Sequence, residues 1–198
     1  MNLIDLTVQK FIAKLASPTE GPGGGSASAF IGLSGIALLQ MAAGRACSSF
    51  NQQELAAIAK QLTELIDEDQ RAFAVVVALQ PQSNKQHQSF DAQLEQAVTY
   101  AIEIPLTIVK DCIAGIVIAQ QAITIIDSSM RSELLVAVEA LRAGAASSLI
   151  NMTVNLSLLQ SVETAASYVH LIEQYRKQLE QLLATIYRQT DIVKLLAT

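Results

Sequence analysis

Asp69 is a carboxylate on the apolar face of a helix. Placed at about 100° per residue, the segment from Ile58 to Val77 gathers Ile58, Leu62, Leu65, Ile66, Phe73 and Val76 on one face, and Asp69 falls among them. Its neighbours Asp67 and Glu68 point elsewhere, as ordinary surface acids do. A carboxylate on an apolar stripe loses water, and its ionised form costs several kcal/mol unless something partners it. Such a group is either paired in the core or kept there for chemistry.

Two further patterns bear on chemistry. Gly21-Pro22-Gly23-Gly24-Gly25-Ser26 precedes a long apolar segment. Consecutive glycines bare their backbone N–H groups, and Gly25 or Ser26 can cap the helix that follows. Gly23, Gly24, Gly25 and Ser26 therefore suit an anion or a flat ligand lying against the backbone. The loop lacks the GxxxxGK[ST] of a phosphate loop, and no strand precedes it as a dinucleotide turn requires. A flexible interhelical linker would explain it about as well. The other pattern runs from Glu133 to Leu159. Leu134, Val138, Leu141, Ala145, Leu149, Met152, Leu156 and Leu159 make an apolar stripe, and beside it lies a second one of Glu133, Ala137, Ala140, Gly144, Ser148, Asn151 and Asn155. Small residues let a neighbouring helix come close, while the asparagines carry donors and acceptors. The stripe reads as a tight helix contact or as the wall of a ligand pocket, and the wheel alone favours the contact.

The elements that must position these residues are helices. The chain has 198 residues, 51% of them hydrophobic, only 5% aromatic and none tryptophan. That is one domain, 1–198, with enough length to bury a core. Helical patterns run at 2–16, 26–50, 52–79, 87–126, 130–160 and 161–196. The breakers are Ser17 to Ser26, Gln80–Pro81 and Pro105, which should kink or divide the fourth segment. Asp127, Ser128 and Ser129 offer caps for the fifth. In the first segment Leu3, Leu6, Val8, Phe11, Ile12 and Leu15 turn inward. No alternating strand of convincing length is present. The expected fold is all-α, with long antiparallel helices in a layered bundle.

Composition also narrows function. The net charge is −5, with no basic run and no Cys/His finger, which argues against nucleic acid. Cys47 and Cys112 are far apart and read as small buried side chains, neither a disulfide framework nor a zinc site. His87 stands in a polar stretch, 82–88, expected to be a loop, and His170 is isolated; no metal is expected. Ser26 to Ala43 is nearly uncharged, yet Ser28, Ser34, Gln40 and its small residues favour a helix buried in a bundle over a membrane span. The N-terminus has no basic leader pattern, so a cytoplasmic location is expected.

Together these segments resemble the cyclodeaminase domain of formiminotransferase-cyclodeaminase and its stand-alone relatives, the methenyltetrahydrofolate cyclohydrolases. FIAKLASPTEGPGGGSASAF looks like the family's opening helix and glycine loop. LIDEDQRAF looks like its Asp-x-Asp-x-x-x-Phe helix, AIEIPL at 101–106 its Val-Pro-Leu segment, and GAASSLINMTVNL at 144–156 its Asn-x-x-x-Asn-Leu helix. The resemblance implies a folate one-carbon enzyme. It would hydrolyse 5,10-methenyltetrahydrofolate to 10-formyltetrahydrofolate, or cyclise 5-formiminotetrahydrofolate with release of ammonia. It implies Asp69 as general base, a folate as substrate rather than cofactor, and a homodimer. It also implies substrate contacts from the glycine loop, Glu133, Asn151 and Asn155. The chain departs from the family pattern at 126–134, where Ile126-Asp127 replaces Gly-Asn and Glu133 replaces aspartate. A non-catalytic dimeric scaffold that lost activity through those changes is the alternative.

Overall fold

The computed structural model describes residues 2–18, 21–45, 51–83 and 88–190. It contains six α-helices: α1 (Val8–Leu15), α2 (Gly24–Arg45), α3 (Gln52–Ser83), α4 (Gln88–Ala122), α5 (Arg131–Leu156) and α6 (Val162–Gln189). Short 3-10 turns lie at Leu3–Asp5 and Ser128–Met130. No strand occurs among the described residues. The all-α bundle expected from periodicity is what forms.

Helices α2 to α5 make the core. Each packs against its sequence neighbours, α2 also closes onto α5, and α6 lies outside against α5 and α4. Directions follow from which residues meet. Ser26 and Gly32 of α2 lie beside Asp69 and Leu62 of α3, and beside Ser28 and Gly32 lie Ser147 and Gly144 of α5. Numbers rise on one helix as they fall on the other, so both pairs are antiparallel. Ala101 and Cys112 of α4 meet Asn155 and Gly144 of α5 in the same sense.

The bundle has a narrow waist. A β-carbon at Gly32 would lie 2.7 Å from Cys112 Sγ, and one at Gly144 would lie 3.0 Å from that sulfur and 3.1 Å from Gly32 Cα. Three helices approach there because two glycines and a cysteine take up so little room. Burial pushes the Cys112 thiol pKa well up, and the neighbouring Asp111 adds to that. Cys47 and His87 lie outside the described residues. Helix α2 is long and apolar enough to cross a membrane, but it is packed against α3, α4 and α5, with Ser26 and Ser28 buried.

Several boundaries differ from expectation. The first segment is broken, because Leu6 and Thr7 are extended and the Thr7 side chain accepts from Lys10 N to start α1. Leu3 and Phe11 are buried, while Val8 and Ile12 are exposed: the two pieces have separate phases. Helix α3 continues to Ser83 through Pro81, which lies in its last turn. Helix α4 is not divided at Pro105, and Ile102, Ile104, Leu106 and Ile108 are buried on both sides of it. Neither Asp127 nor Met130, the residues before the 3-10 turn and α5, makes a side-chain cap. Ser161 does cap α6, by accepting from Thr164 N, and Glu95 of α4 takes the N–H groups of Gln160 and Ser161.

Candidate active site

The three acids 67–69 each hold a different element. Asp67 accepts from Leu3 N, fastening the N-terminal turn to α3. Glu68 accepts from Tyr100 of α4 at 2.9 Å and from Arg71 at 3.1 Å. Asp69 reaches the start of α2, where its Oδ2 accepts from Ser26 N at 2.9 Å and lies 3.3 Å from Ser26 Oγ. Asp67 and Glu68, expected as plain surface acids, are thus fasteners as well.

The glycine loop is the reason Asp69 can come so close. Helix α2 begins at Gly24, two residues earlier than expected, so Gly24, Gly25 and Ser26 form its first turn. Their N–H groups lack intrahelical acceptors and face outward with the positive end of the helix dipole. A β-carbon at Gly25 would lie 1.9 Å from Asp69 Oδ1, inside the carboxylate itself. Only glycine admits the aspartate there. Gly24 does the same for Asn151, whose Oδ1 lies 2.9 Å from the absent β-carbon.

Asp69 is half-buried. Desolvation raises its pKa above the ordinary carboxylate value, and the Ser26 N–H and hydroxyl pull it partway back. The two oxygens differ. Oδ2 is anchored by Ser26, while no donor among the described residues reaches Oδ1. That leaves one oxygen held and one open to accept a proton.

Around this carboxylate lies a cleft of about 270 Å³. Gly23, Gly24 and Gly25 line its floor, Asp69, Gln70 and Phe73 of α3 one wall, and Asn151, Val154 and Asn155 of α5 the other. The Asn155 amide is oriented by its Nδ2, which donates to Ala101 O at 2.9 Å. The Asn151 amide donates to Ser28 Oγ at 3.4 Å, and Ser28 in turn lies 2.8 Å from Ser147 Oγ. Asparagine amides fixed on one side keep their carbonyls for an occupant. Gly23, Gly24, Gly25, Asp69, Asn151 and Asn155 thus share one cleft, with Ser26 behind it as the anchor of Asp69.

Glu133 does not join them. It lies 18 residues from Asn151 on α5, about 27 Å along the axis at 1.5 Å per residue. There it accepts from the Ser132 hydroxyl, whose contact lowers its pKa, with smaller pulls from its own backbone N–H and from Arg45. The whole 126–134 segment sits at that far end, where Arg45, the last residue of α2, meets Met130. The wheel put Glu133 and Asn151 on one stripe because a wheel discards axial distance. The stripe behaves differently along its length: Gly144 makes a tight helix contact, and Asn151 and Asn155 line the cleft.

Phe73 was expected in the core and is instead 49% exposed in the cleft. Gln70 and Val154 also line it, and no pattern in the sequence marks them. The signal was there, since Phe73 is four residues after Asp69 and shares its face. Among the described residues, no three His, Cys, Asp or Glu side chains gather as a metal site would need.

The sequence profile of the formiminotransferase-cyclodeaminase family matches residues 7–174. The methenyltetrahydrofolate cyclohydrolase of Methylorubrum extorquens is 29% identical over 192 residues, which cover 90% of this chain and 89% of that protein. The formimidoyltransferase-cyclodeaminase of Rattus norvegicus is 26% identical over 199 residues, 85% of this chain but only 37% of that longer protein. Among solved structures, formiminotetrahydrofolate cyclodeaminase from Thermotoga maritima superposes with a TM-score of 0.82 at 18% identity, covering 96% of this chain and 98% of that one. At that identity the likeness speaks for the fold.

Proposed function

The chain belongs to the formiminotransferase-cyclodeaminase family, and from that premise we propose that the cleft at Asp69 transforms a folate-bound one-carbon unit. Hydrolysis of 5,10-methenyltetrahydrofolate to 10-formyltetrahydrofolate is the first reading, supported by the near full-length match to a cyclohydrolase. Cyclisation of 5-formiminotetrahydrofolate is the second, supported by the match to cyclodeaminases.

The observation that carries the proposal is a carboxylate that lines the cleft with its two oxygens unequal, Oδ2 anchored by Ser26 and Oδ1 without a donor among the described residues. In hydrolysis a water oxygen bonds to the carbon between N5 and N10, and Asp69 takes the proton that water loses. The C–N5 bond then breaks, Asp69 returns that proton to N5, the hydroxyl on the carbon releases its own proton to solvent as the carbonyl forms, and the formyl group stays on N10. In cyclisation N10 bonds to the carbon of the protonated formimino group and gives its proton to Asp69, which passes it to the former imino nitrogen, so that this nitrogen leaves as ammonia and the methenyl bridge keeps the positive charge. Burial makes Asp69 a stronger base than an exposed aspartate, and its charge favours the cationic methenyl bridge. Asn151 and Asn155 would hydrogen-bond the pterin edge, and the glycine floor lets the ring approach the backbone.

A rival reading has its own support: Asp69 accepting from Ser26 N is also a remote cap of α2. In that reading the protein is a helical scaffold without chemistry. The assay that separates them follows both folates with wild type and Asp69→Asn. Asparagine can still accept from Ser26 N, so the variant should fold with an unchanged melting midpoint. Its turnover should fall by about 10²–10⁴-fold. Equal inertness of wild type and variant towards both folates would favour the scaffold. A homodimer in the cytoplasm belongs to the same proposal, and sedimentation at micromolar concentration tests the dimer.

A further inference from the structure

We infer that Phe73 selects a flat, positively charged occupant over a neutral one, an inference that rests on the folate reading of the site. On α3 Ile66 and Val76, on one flank of Phe73, are fully buried, whereas Phe73 is 49% exposed, as is Val77 one turn beyond it. A half-exposed aromatic ring at the edge of a core-forming face forfeits burial that a bound molecule can restore. It stands one turn beyond Asp69, about 6 Å along the helix axis, and both side chains line the same cleft. Val154, 62% exposed, supplies an apolar contact from the opposite wall. The rest of the lining is uncharged: amides, glycine backbone and Ala101.

A ring face carries negative quadrupole, so a cation lying on it is attracted, most strongly when water is excluded. Phe73 and Asp69 therefore favour the same feature, a planar group bearing delocalised positive charge. The methenyl bridge is such a group, and so is a protonated formimino group. The one-carbon unit of 10-formyltetrahydrofolate is neutral and gains from neither side chain. The cleft would then hold its cationic substrate more firmly than that neutral compound.

The test uses the full chain with three residues at 73: phenylalanine, leucine and tyrosine. Phe73→Leu keeps bulk and removes the π face, and Phe73→Tyr restores it. For whichever folate wild type turns over, Phe73→Leu should raise KM about tenfold, with kcat within about threefold, and Phe73→Tyr should stay near wild type. Inhibition by 10-formyltetrahydrofolate should weaken far less than substrate binding. The inference is overturned if KM is unchanged in Phe73→Leu, or if Leu and Tyr are equally impaired. It is also overturned if inhibition weakens by the same factor, or if Phe73→Leu changes the sedimentation coefficient, which would make the ring a contact between chains. If wild type turns over neither folate, the reading of the site itself fails and takes the inference with it.

Discussion

The waist of the bundle and its mouth are built from the same helix faces. At the waist α2, α4 and α5 close on Gly32, Cys112 and Gly144, with no space for a methyl group. Toward the start of α2 the same faces part, and the stripe that packed at Gly144 becomes a cleft wall at Asn151 and Asn155. Each region holds a carboxylate whose pKa burial raises: Asp111, adjacent to Cys112, and Asp69 at the mouth. Asp69 has a donor, Ser26, and opens to the cleft. Asp111 is 8% exposed, and its Oδ2 has no hydrogen-bond partner. A raised pKa is common to both, so the open cleft is what distinguishes the candidate group from the sealed one.

Breaking the comparison at Asp111 gives the largest stability effect. Burial lifts its pKa from 3.8 to about 7, against a small opposing pull from Lys110. The unfolded chain releases this proton near pH 4 and the folded chain holds it until about 7, so between those values the folded state binds more protons. Stability therefore falls as pH rises through that window and is level above it. The full shift corresponds to about 4 kcal/mol, an upper bound once the site relaxes. Asp111→Asn should flatten the slope and raise the melting midpoint at pH 8, with turnover retained. Parallel melting curves for both proteins from pH 4 to pH 8 would refute it.

Glycine substitutions separate the two regions by what they damage. Gly25→Ala drives a methyl group into the Asp69 carboxylate. The carboxylate must move by an ångström or more, a misplacement that costs about 10²-fold in kcat, with a smaller change in melting. Gly32→Ala presses on Cys112 Sγ instead. It should destabilise by about 1–3 kcal/mol, as overpacked cores do, and leave KM alone. Chemical denaturation and steady-state kinetics on the same two samples check the pair. If Gly32→Ala lowered kcat as much as Gly25→Ala did, waist and mouth would not be separate regions.

The fold was legible because period and breakers act locally. Six helical segments, the glycine loop and the misplaced Asp69 all came from spacings of a few residues. What stayed hidden depends on where along the axis two helices part. Leu62 and Phe73 share a face of α3, yet Leu62 is sealed under α2 and Phe73 stands in the cleft. That difference is set by the crossing of whole helices, and no window on one strand of sequence contains it. Pro105 is the converse case, a strong local signal overridden by buried neighbours on both sides.

The smallest expected effect bears on the widest separation. Glu133 and Asn151 share one stripe of α5 but stand about 27 Å apart at 1.5 Å per residue, with the tight Gly144 contact between them. Within one chain, Glu133 cannot touch an occupant of the Asp69 cleft. Glu133→Gln keeps the size and a hydrogen-bonding oxygen for Ser132, so kcat/KM should stay within about twofold of wild type, a change of under 0.5 kcal/mol. A tenfold loss would mean that a second chain brings its own Glu133 to this mouth. The cleft would then be shared between copies, and the changes at 126–134 would bear on the neighbour's chemistry rather than on their own chain's. Mixing Glu133→Gln with Asp69→Asn chains distinguishes the two cases. Each variant then supplies what the other lacks, and activity above the sum of the separate samples would require a site built from both.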